Sequence, residues 1–373
     1  MKICNIVSLT DLSGFYIVYK GSAFTELSQN RGLNHLVEHL LCKSVQSSLL
    51  EYDNYAITYN AITSDNFIVY YITGIDEYIN KFKYRFFEEI TDRHLFDEES
   101  FQQERNVIMA EYLMNFSDKI RAYRYNVFRK YMNYYGTIGS RDCIESCNLQ
   151  QVQSVYDNQY VAPYMLINIS KSSPFVDDNM FLDSFQLERK EKFKICLEGN
   201  GQSNIERMPQ TAGGAVCMIM GKKMIPNSEL YKTQFVNYML CGNIQKPIYK
   251  VLRHEKGLCY YANFSNYCFD DQHAIFFTTE TSKANEKIVS NTFATLMDKI
   301  LSYCNIELFN STLSYLMAEK RIKDINRYNQ VEDLFYNTVF SNNNLYQITY
   351  EGVLAHIEKY YHGYADHFII TRI

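Results

Sequence analysis

The chain has 373 residues, 47% of them apolar, a net charge of −5, and 33 tyrosines but no tryptophan. That length suits two domains with real cores, and a mildly acidic chain with no long basic run speaks against nucleic-acid binding. The ten cysteines include no C-x-x-C pair, so neither a cysteine metal site nor a disulfide framework is indicated, and such usage suits a reducing cytosol.

The first residues, Met1 to Val7, lack the apolar core of a signal peptide and the Arg-rich character of a transit peptide. No stretch reaches the ~20 apolar residues of a membrane span, so a soluble, cytoplasmic protein is expected. Residues 3–9 and 14–19 are two extended runs split by Asp11-Leu12-Ser13-Gly14, the pattern of a hairpin.

A polar segment then leads into Gly32-Leu33-Asn34-His35-Leu36-Val37-Glu38-His39-Leu40-Leu41, a breaker-free run expected to be helical. On a helix, His35 and His39 lie one turn apart on one face and can share a metal ion, with Glu38 on the neighbouring strip. The order is H-x-x-E-H, the reverse of H-E-x-x-H, and it marks the inverzincin zinc peptidases. A lone buried histidine is usually a core residue satisfied by backbone; a pair at this spacing, with a carboxylate between, fits that reading less well.

Two strands follow, residues 55–62 and 66–72, then an amphipathic helix over 76–91 and another from about 97 to 114 with the acidic start Asp97-Glu98-Glu99. The second carries Glu104 and Glu111, seven residues or about two turns apart on one face, with Val107, Ile108 and Met109 expected to pack inward between them. Taken alone, two solvent-facing glutamates satisfy the same pattern. Residues 118–160 read as further helix broken by Tyr135-Gly136-Thr137-Ile138-Gly139-Ser140, and a strand over 164–170 closes a first domain placed at 1–185.

A linker is expected over 186–212 and a second domain over 213–373. That second part repeats the pattern: a strand at 215–220, helical stretches at 228–241 and 245–255, paired strands at 259–267 and 274–279, helices at 283–303 and 306–325, and a final strand at 368–371. Strands then helices, twice over, indicate an α+β protein of two homologous domains, each a mainly antiparallel sheet with helices on one face.

These residues together resemble the zinc peptidase family of pitrilysin, insulin-degrading enzyme and the mitochondrial processing peptidase. The likeness rests on Gly21-Ser22…Glu26…Gly32-Leu33-Asn34-His35, on Asn60-Ala61-Ile62-Thr63-Ser64 and on Glu104-Arg105-Asn106…Glu111. It continues through Tyr135-Gly136…Ile138-Gly139, Tyr160-Val161-Ala162-Pro163 and Leu252-Arg253-His254-Glu255-Lys256-Gly257-Leu258-Cys259-Tyr260. The 72 positions from His39 to Glu111 are a few fewer than the family leads one to expect, a deficit assigned to a short connection over 42–51, and Lys43-Ser44 stands where a Gly-Thr-like turn is usual.

The resemblance implies a compact, half-length zinc endopeptidase. His35, His39 and Glu111 would be the Zn2+ ligands, Glu38 the general base and then acid, and Glu104 a residue orienting a ligand from behind. Arg253 and Tyr260 would donate hydrogen bonds to the substrate carbonyl or developing oxyanion, although a core tyrosine near an arginine is also ordinary. Asn60, Ala61 and Ile62 would receive extended peptide at a sheet edge. The chain would form half of a clamshell completed by a second copy or a related subunit, around unfolded peptides or a small precursor, with maturation of a ribosomally made peptide as one such use. The alternative is a non-catalytic or half-active partner subunit of a heterodimeric complex, in which this motif would have decayed.

Overall fold

The computed structural model describes residues 2–8, 10–20, 23–117, 135–160, 162–175, 204–207, 215–220, 225–268, 272–323, 347–362 and 368–372. The chain divides into two compact α+β units, Met1–Cys196 and Leu197–Ile373.

In the first unit, β1 (Lys2–Val7), β2 (Leu12–Lys20), β3 (Thr58–Thr63), β4 (Phe67–Ile75) and β5 (Met165–Ser170) form a sheet in the order β1-β5-β2-β4-β3. β1 runs parallel to β5 and every other pair is antiparallel. The expected hairpin between the first two runs is therefore not formed, because β5 lies between them. All six residues of β5 are buried, whereas β1 alternates exposed and half-buried positions. A continuous apolar run belongs in the interior of a sheet and the alternating one at its margin.

Among the described residues this unit has the helices α1 (Leu33–Leu49), α2 (Asp76–Thr91), α3 (Glu98–Ser117), α4 (Arg141–Ser146) and α5 (Leu149–Gln159). α1 buries Leu33, Leu36, Val37, Leu40 and Leu41, each at most 1% exposed, a stripe at i, i+3, i+4, i+7, i+8. It meets Phe15, Ile17, Ile68, Tyr70 and Ile72 of the sheet, and Ile79, Phe82 and Phe86 of α2, in one core. Each such leucine contributes about 1.5–3 kcal/mol on burial, so the helix is fixed by its core stripe and the adjoining stripe is left for chemistry. Residues 42–49, taken from the sequence as a short connection, continue α1.

The second unit contains β6 (Asn204–Arg207), β7 (Ala215–Met220), β8 (Ile225–Pro226), α6 (Leu230–Cys241), α7 (Pro247–Tyr249), β9 (Tyr261–Cys268), β10 (Gln272–Thr281), α8 (Glu286–Asp298), α9 (Ile300–Tyr303), α10 (Ile306–Lys323), α11 (Tyr350–Tyr360) and β11 (Phe368–Arg372). α7 continues into a π-helical turn, Lys250–Glu255. The sheet order is β6-β11-β7-β10-β9, with β8 also on β10. β6 is parallel to β11 and the rest are antiparallel. Strand for strand this is the order and polarity of the first sheet, so the fold is repeated within the chain.

Two features were not expected. Residues 204–207, assigned to the linker, pair with Ile369–Arg372 at the margin of the second sheet; four residues carry too little periodicity to read as a strand. Helix α11 was missed, although Val353, Ile357 and Tyr360 bury at helical spacing and Thr349 caps it by accepting from Gly352 N–H. The rest of the expected linker, 186–203 and 208–212, the expected helix over 118–134, Gly21-Ser22 and Val161 lie outside the described residues.

Candidate metal and catalytic site

The site stands on the second stripe of α1. His35, Glu38 and His39 flank the buried leucine stripe, and two anchors hold the start of the helix. The carboxylate of buried Glu26 accepts from Gly32 N–H and Asn34 N–H, both at 2.7 Å, which satisfies two donors that a helix N-terminus leaves open. Gly32 itself is left-handed at φ 97°, and Gly139, at φ 77°, presses against it so closely that a Cβ on Gly139 would lie 2.2 Å from Gly32 Cα. Ser140 N–H donates to Arg31 O at 3.1 Å across the same crossing. The Tyr135-Gly136…Ile138-Gly139 signature thus acts at a distance, by docking on the root of the motif helix.

α3 brings the acidic partners. His35 Nε2 lies 3.7 Å from Glu111 Oε2 and His39 Nε2 lies 3.6 Å from Glu111 Oε1. One ligand atom from each of the three residues falls within 4.8 Å of the others, an arrangement that could hold a metal ion. Two imidazole nitrogens and one carboxylate oxygen are the donor set of catalytic zinc sites that keep an open position. Burial lowers the His35 pKa to about 3, with nearby His39 adding to the effect, so the ring is neutral, the form that ligates. Its Nδ1 is buried with no hydrogen-bond partner among the described residues.

His39 is oriented from behind. Its Nδ1 faces Glu104 Oε2 at 3.2 Å, and Lys43 Nζ holds Glu104 Oε1 at 3.0 Å. A carboxylate on Nδ1 makes that nitrogen the donor and leaves Nε2 bare towards Glu111. Of the three residues expected to pack inward on α3, Ile108 is fully buried and Met109 packs against the core, but Val107 is 44% exposed. Successive residues turn by ~100°, so three in a row cannot share one face, and the inward stripe is Phe101 and Ile108.

Glu38 lies 4.0 Å from His35 Nε2 and is only 7% exposed. Burial raises its pKa, against a hydrogen bond that Thr63 Oγ1 donates to Glu38 Oε2 at 2.7 Å. A carboxylate shifted upwards beside a cluster that could hold a metal ion is suited to accept and return a proton. The sequence reading named neither Thr63 nor Lys43 as functional. Thr63 stands within the Asn60–Ser64 signature without a role of its own, and alternation points to one: Tyr59, Ala61 and Thr63 share one face of β3, and Tyr59 and Ala61 of that set pack on the core beneath α1.

β3 pairs only with β4 among the described residues and forms one end of the sheet. Ala61 N–H bonds the Asn60 side chain at 2.8 Å, while Ser64 N–H bonds Phe67 O at 2.8 Å across the ladder. By antiparallel alternation, Tyr59, Ala61 and Thr63 turn their backbone groups to the open edge. Asn60 and Ile62 turn theirs to β4, opposite Tyr71 and Val69. Of the three residues expected to receive substrate backbone, only Ala61 has groups so placed, and the Asn60 amide covers its N–H.

In the second unit, Arg253 and Tyr260 are together. The Arg253 guanidinium donates to the Tyr260 carbonyl and lies 4.3 Å from the Tyr260 ring centroid, and Tyr249 OH donates to the same carbonyl at 3.3 Å. Tyr260 is 77% exposed, so it is not a core tyrosine. The approach is the π-helical turn at Lys250–Glu255, closed by Gly257 at φ 58°.

Residues 13–133 match the profile of the insulinase family, peptidase family M16. Over those residues the chain is similar to the M16 peptidase family. A Bacillus subtilis relative, named as the uncharacterized zinc protease YmxG, is 22% identical over 292 residues, which is 73% of this chain and 70% of that one. Among solved structures, a Helicobacter pylori protease is similar with a TM-score of 0.77 at 14% identity, covering 100% of this chain and 97% of that chain. A Pseudomonas fluorescens M16 domain described as inactive is similar with a TM-score of 0.74 at 12% identity, covering 99% and 94%. No helix among the described residues is long and apolar enough to cross a membrane.

Proposed function

We propose that the chain is a zinc-dependent endopeptidase acting on extended peptide segments laid along β3. The observation that carries this is the convergence, on one stripe of α1, of a His35–His39–Glu111 cluster with Glu38, itself hydrogen-bonded to the edge strand. His35, His39 and Glu111 would hold a zinc ion, which would supply Lewis-acid chemistry to the scissile carbonyl and the attacking water. Glu38 takes the proton from the attacking water and returns it to the leaving amine. Glu104 keeps His39 in the ligating tautomer. Ala61 offers backbone groups to the substrate strand, after the Asn60 amide moves aside.

Arg253 and Tyr260 donate to the substrate carbonyl or oxyanion from the second unit of a facing subunit, in a homodimer or in a heterodimer with a related chain. The inactive P. fluorescens domain shows that this fold also occurs without activity; the intact His35, Glu38, His39 and Glu111 support the catalytic reading here. A cytoplasmic setting, and a small ribosomally made precursor as substrate, complete the proposal. The test is to offer one sequence both as a folded domain and as a free peptide, with and without chelator. Cleavage of the free peptide alone, abolished by chelation, is expected, because an edge strand accepts only extended chain. Equal cleavage of both forms would contradict it.

A further inference from the structure

The hydrogen bond from Thr63 Oγ1 to Glu38 Oε2, at 2.7 Å, joins two parts of the site that are far apart in sequence. Glu38 belongs to α1, the helix of the metal cluster, and Thr63 is the last residue of β3, the strand with the open edge. Thr63 and Ala61 have the same orientation on β3. A docked peptide that bonds at Ala61 therefore meets, about 7 Å further along, the residue that holds the base.

The contact also selects between the two carboxylate oxygens. Oε2 accepts from Thr63, and Glu38 is nearly buried, so its χ rotations are restricted by the contact at one end and by the packed helix at the other. The edge strand is in turn tied to β4 over six residue pairs, which makes Thr63 a fixed post and not a loop side chain.

We propose that Thr63 is a positioning residue that sets Glu38 in register with peptide bound at the β3 edge, a role that rests on the peptidase reading above. Peptide docked on the strand and the base that serves it are then referenced to one backbone, and the base is aimed before substrate arrives. Thr63→Val removes the donor and keeps the branched shape, while Thr63→Ser keeps the donor.

The experiment compares wild type, Thr63→Val and Thr63→Ser on one free peptide, recording kcat and KM. Zinc content, melting temperature and peptide affinity of the metal-free chain are measured in parallel. Thr63→Val should lower kcat roughly 10- to 100-fold, the cost of a base misplaced by a fraction of an ångström to an ångström. KM, zinc content, melting temperature and metal-free peptide affinity should stay at wild-type values, and Thr63→Ser should restore kcat. Wild-type kcat in Thr63→Val, a loss confined to KM or to zinc content, or failure of Thr63→Ser to recover would overturn the inference while leaving the peptidase reading standing. Absence of turnover in the zinc-loaded wild type would overturn both.

Discussion

Glu104 lies outside the His35–His39–Glu111 cluster but contacts one of its members. It receives His39 Nδ1 on one oxygen and Lys43 on the other, so Glu104→Gln should weaken zinc binding by roughly 10- to 100-fold, read by competition with a chelator. Unchanged affinity would make Glu104 no more than a partner for Lys43. A second residue-scale device lies in the other unit. His356 Nδ1 faces Glu229 at 3.1 Å, its Nε2 faces Thr233 Oγ1 at 2.9 Å, and His273 Nε2 faces the same hydroxyl at 2.8 Å. The carboxylate makes His356 Nδ1 a donor, so Thr233 donates to His356 Nε2 and accepts from His273. Burial lowers the His356 pKa to about 4 and the His273 pKa to about 3.

An unfolded histidine takes its proton near 6.5, so below that pH the unfolded chain binds more protons than the folded one. Stability should hold above about pH 6.5 and fall towards pH 4, by at most about 1.4 kcal/mol per pH unit for each ring. Melting temperatures at pH 7 and pH 5 check this: His356→Gln should melt lower at pH 7 but lose less on acidification, and a slope equal to wild type would contradict it. Helix geometry made two facings legible in the sequence, that of the i, i+4 histidines and that of the seven-residue glutamate pair, whereas the roles of Glu111 as ligand and Glu38 as base came from the family resemblance. Thr63, Lys43 and the Glu229–His356–Thr233–His273 chain were not legible, because each is a contact between elements far apart in sequence.

At the scale of elements, the Gly32–Gly139 crossing decides whether α1 sits correctly. Gly139→Ala would place a methyl carbon into Gly32 on a backbone that side chains rarely adopt. A loss of at least about 2 kcal/mol is expected, with weaker zinc binding as α1 shifts, and a denaturant titration with metal analysis would detect both. Unchanged stability would mean the crossing relaxes freely. The helices α2 and α3 emerged near their expected bounds because long periodic segments carry strong signals. The β1–β2 hairpin failed for a topological reason. Adjacency in sequence favours pairing, but the apolar β5, 145 residues after β2, competes for the interior place and wins it through burial. Short pieces such as Asn204–Arg207 leave almost no pattern to read, and the π-helical turn before Tyr260 depends on tertiary closure.

The molecule as a whole carries one sheet order twice, with the His35–His39–Glu111 cluster in the first unit and the Arg253–Tyr260 pair in the second. If two copies complete each other, chains carrying Glu38→Gln and chains carrying Tyr260→Phe should each be poorly active alone. Their mixture should recover about half of wild-type activity per mixed dimer, since one of its two sites is whole. No recovery despite demonstrated subunit exchange would remove Tyr260 from the neighbour's site, and a chain inactive until a related protein is added would favour the heterodimer. The repeat was visible in the sequence as strands then helices, twice; how the subunits assemble is not encoded in any local pattern. The central claim, that the H-x-x-E-H stripe is a working zinc centre with Glu38 as base and not as ligand, is tested most directly by the zinc content of purified Glu38→Gln, measured beside its peptide turnover. The expected result is zinc at the wild-type level with turnover lost, while Glu111→Gln, as the control, loses both. Loss of zinc from Glu38→Gln, or turnover retained by it, would contradict the claim.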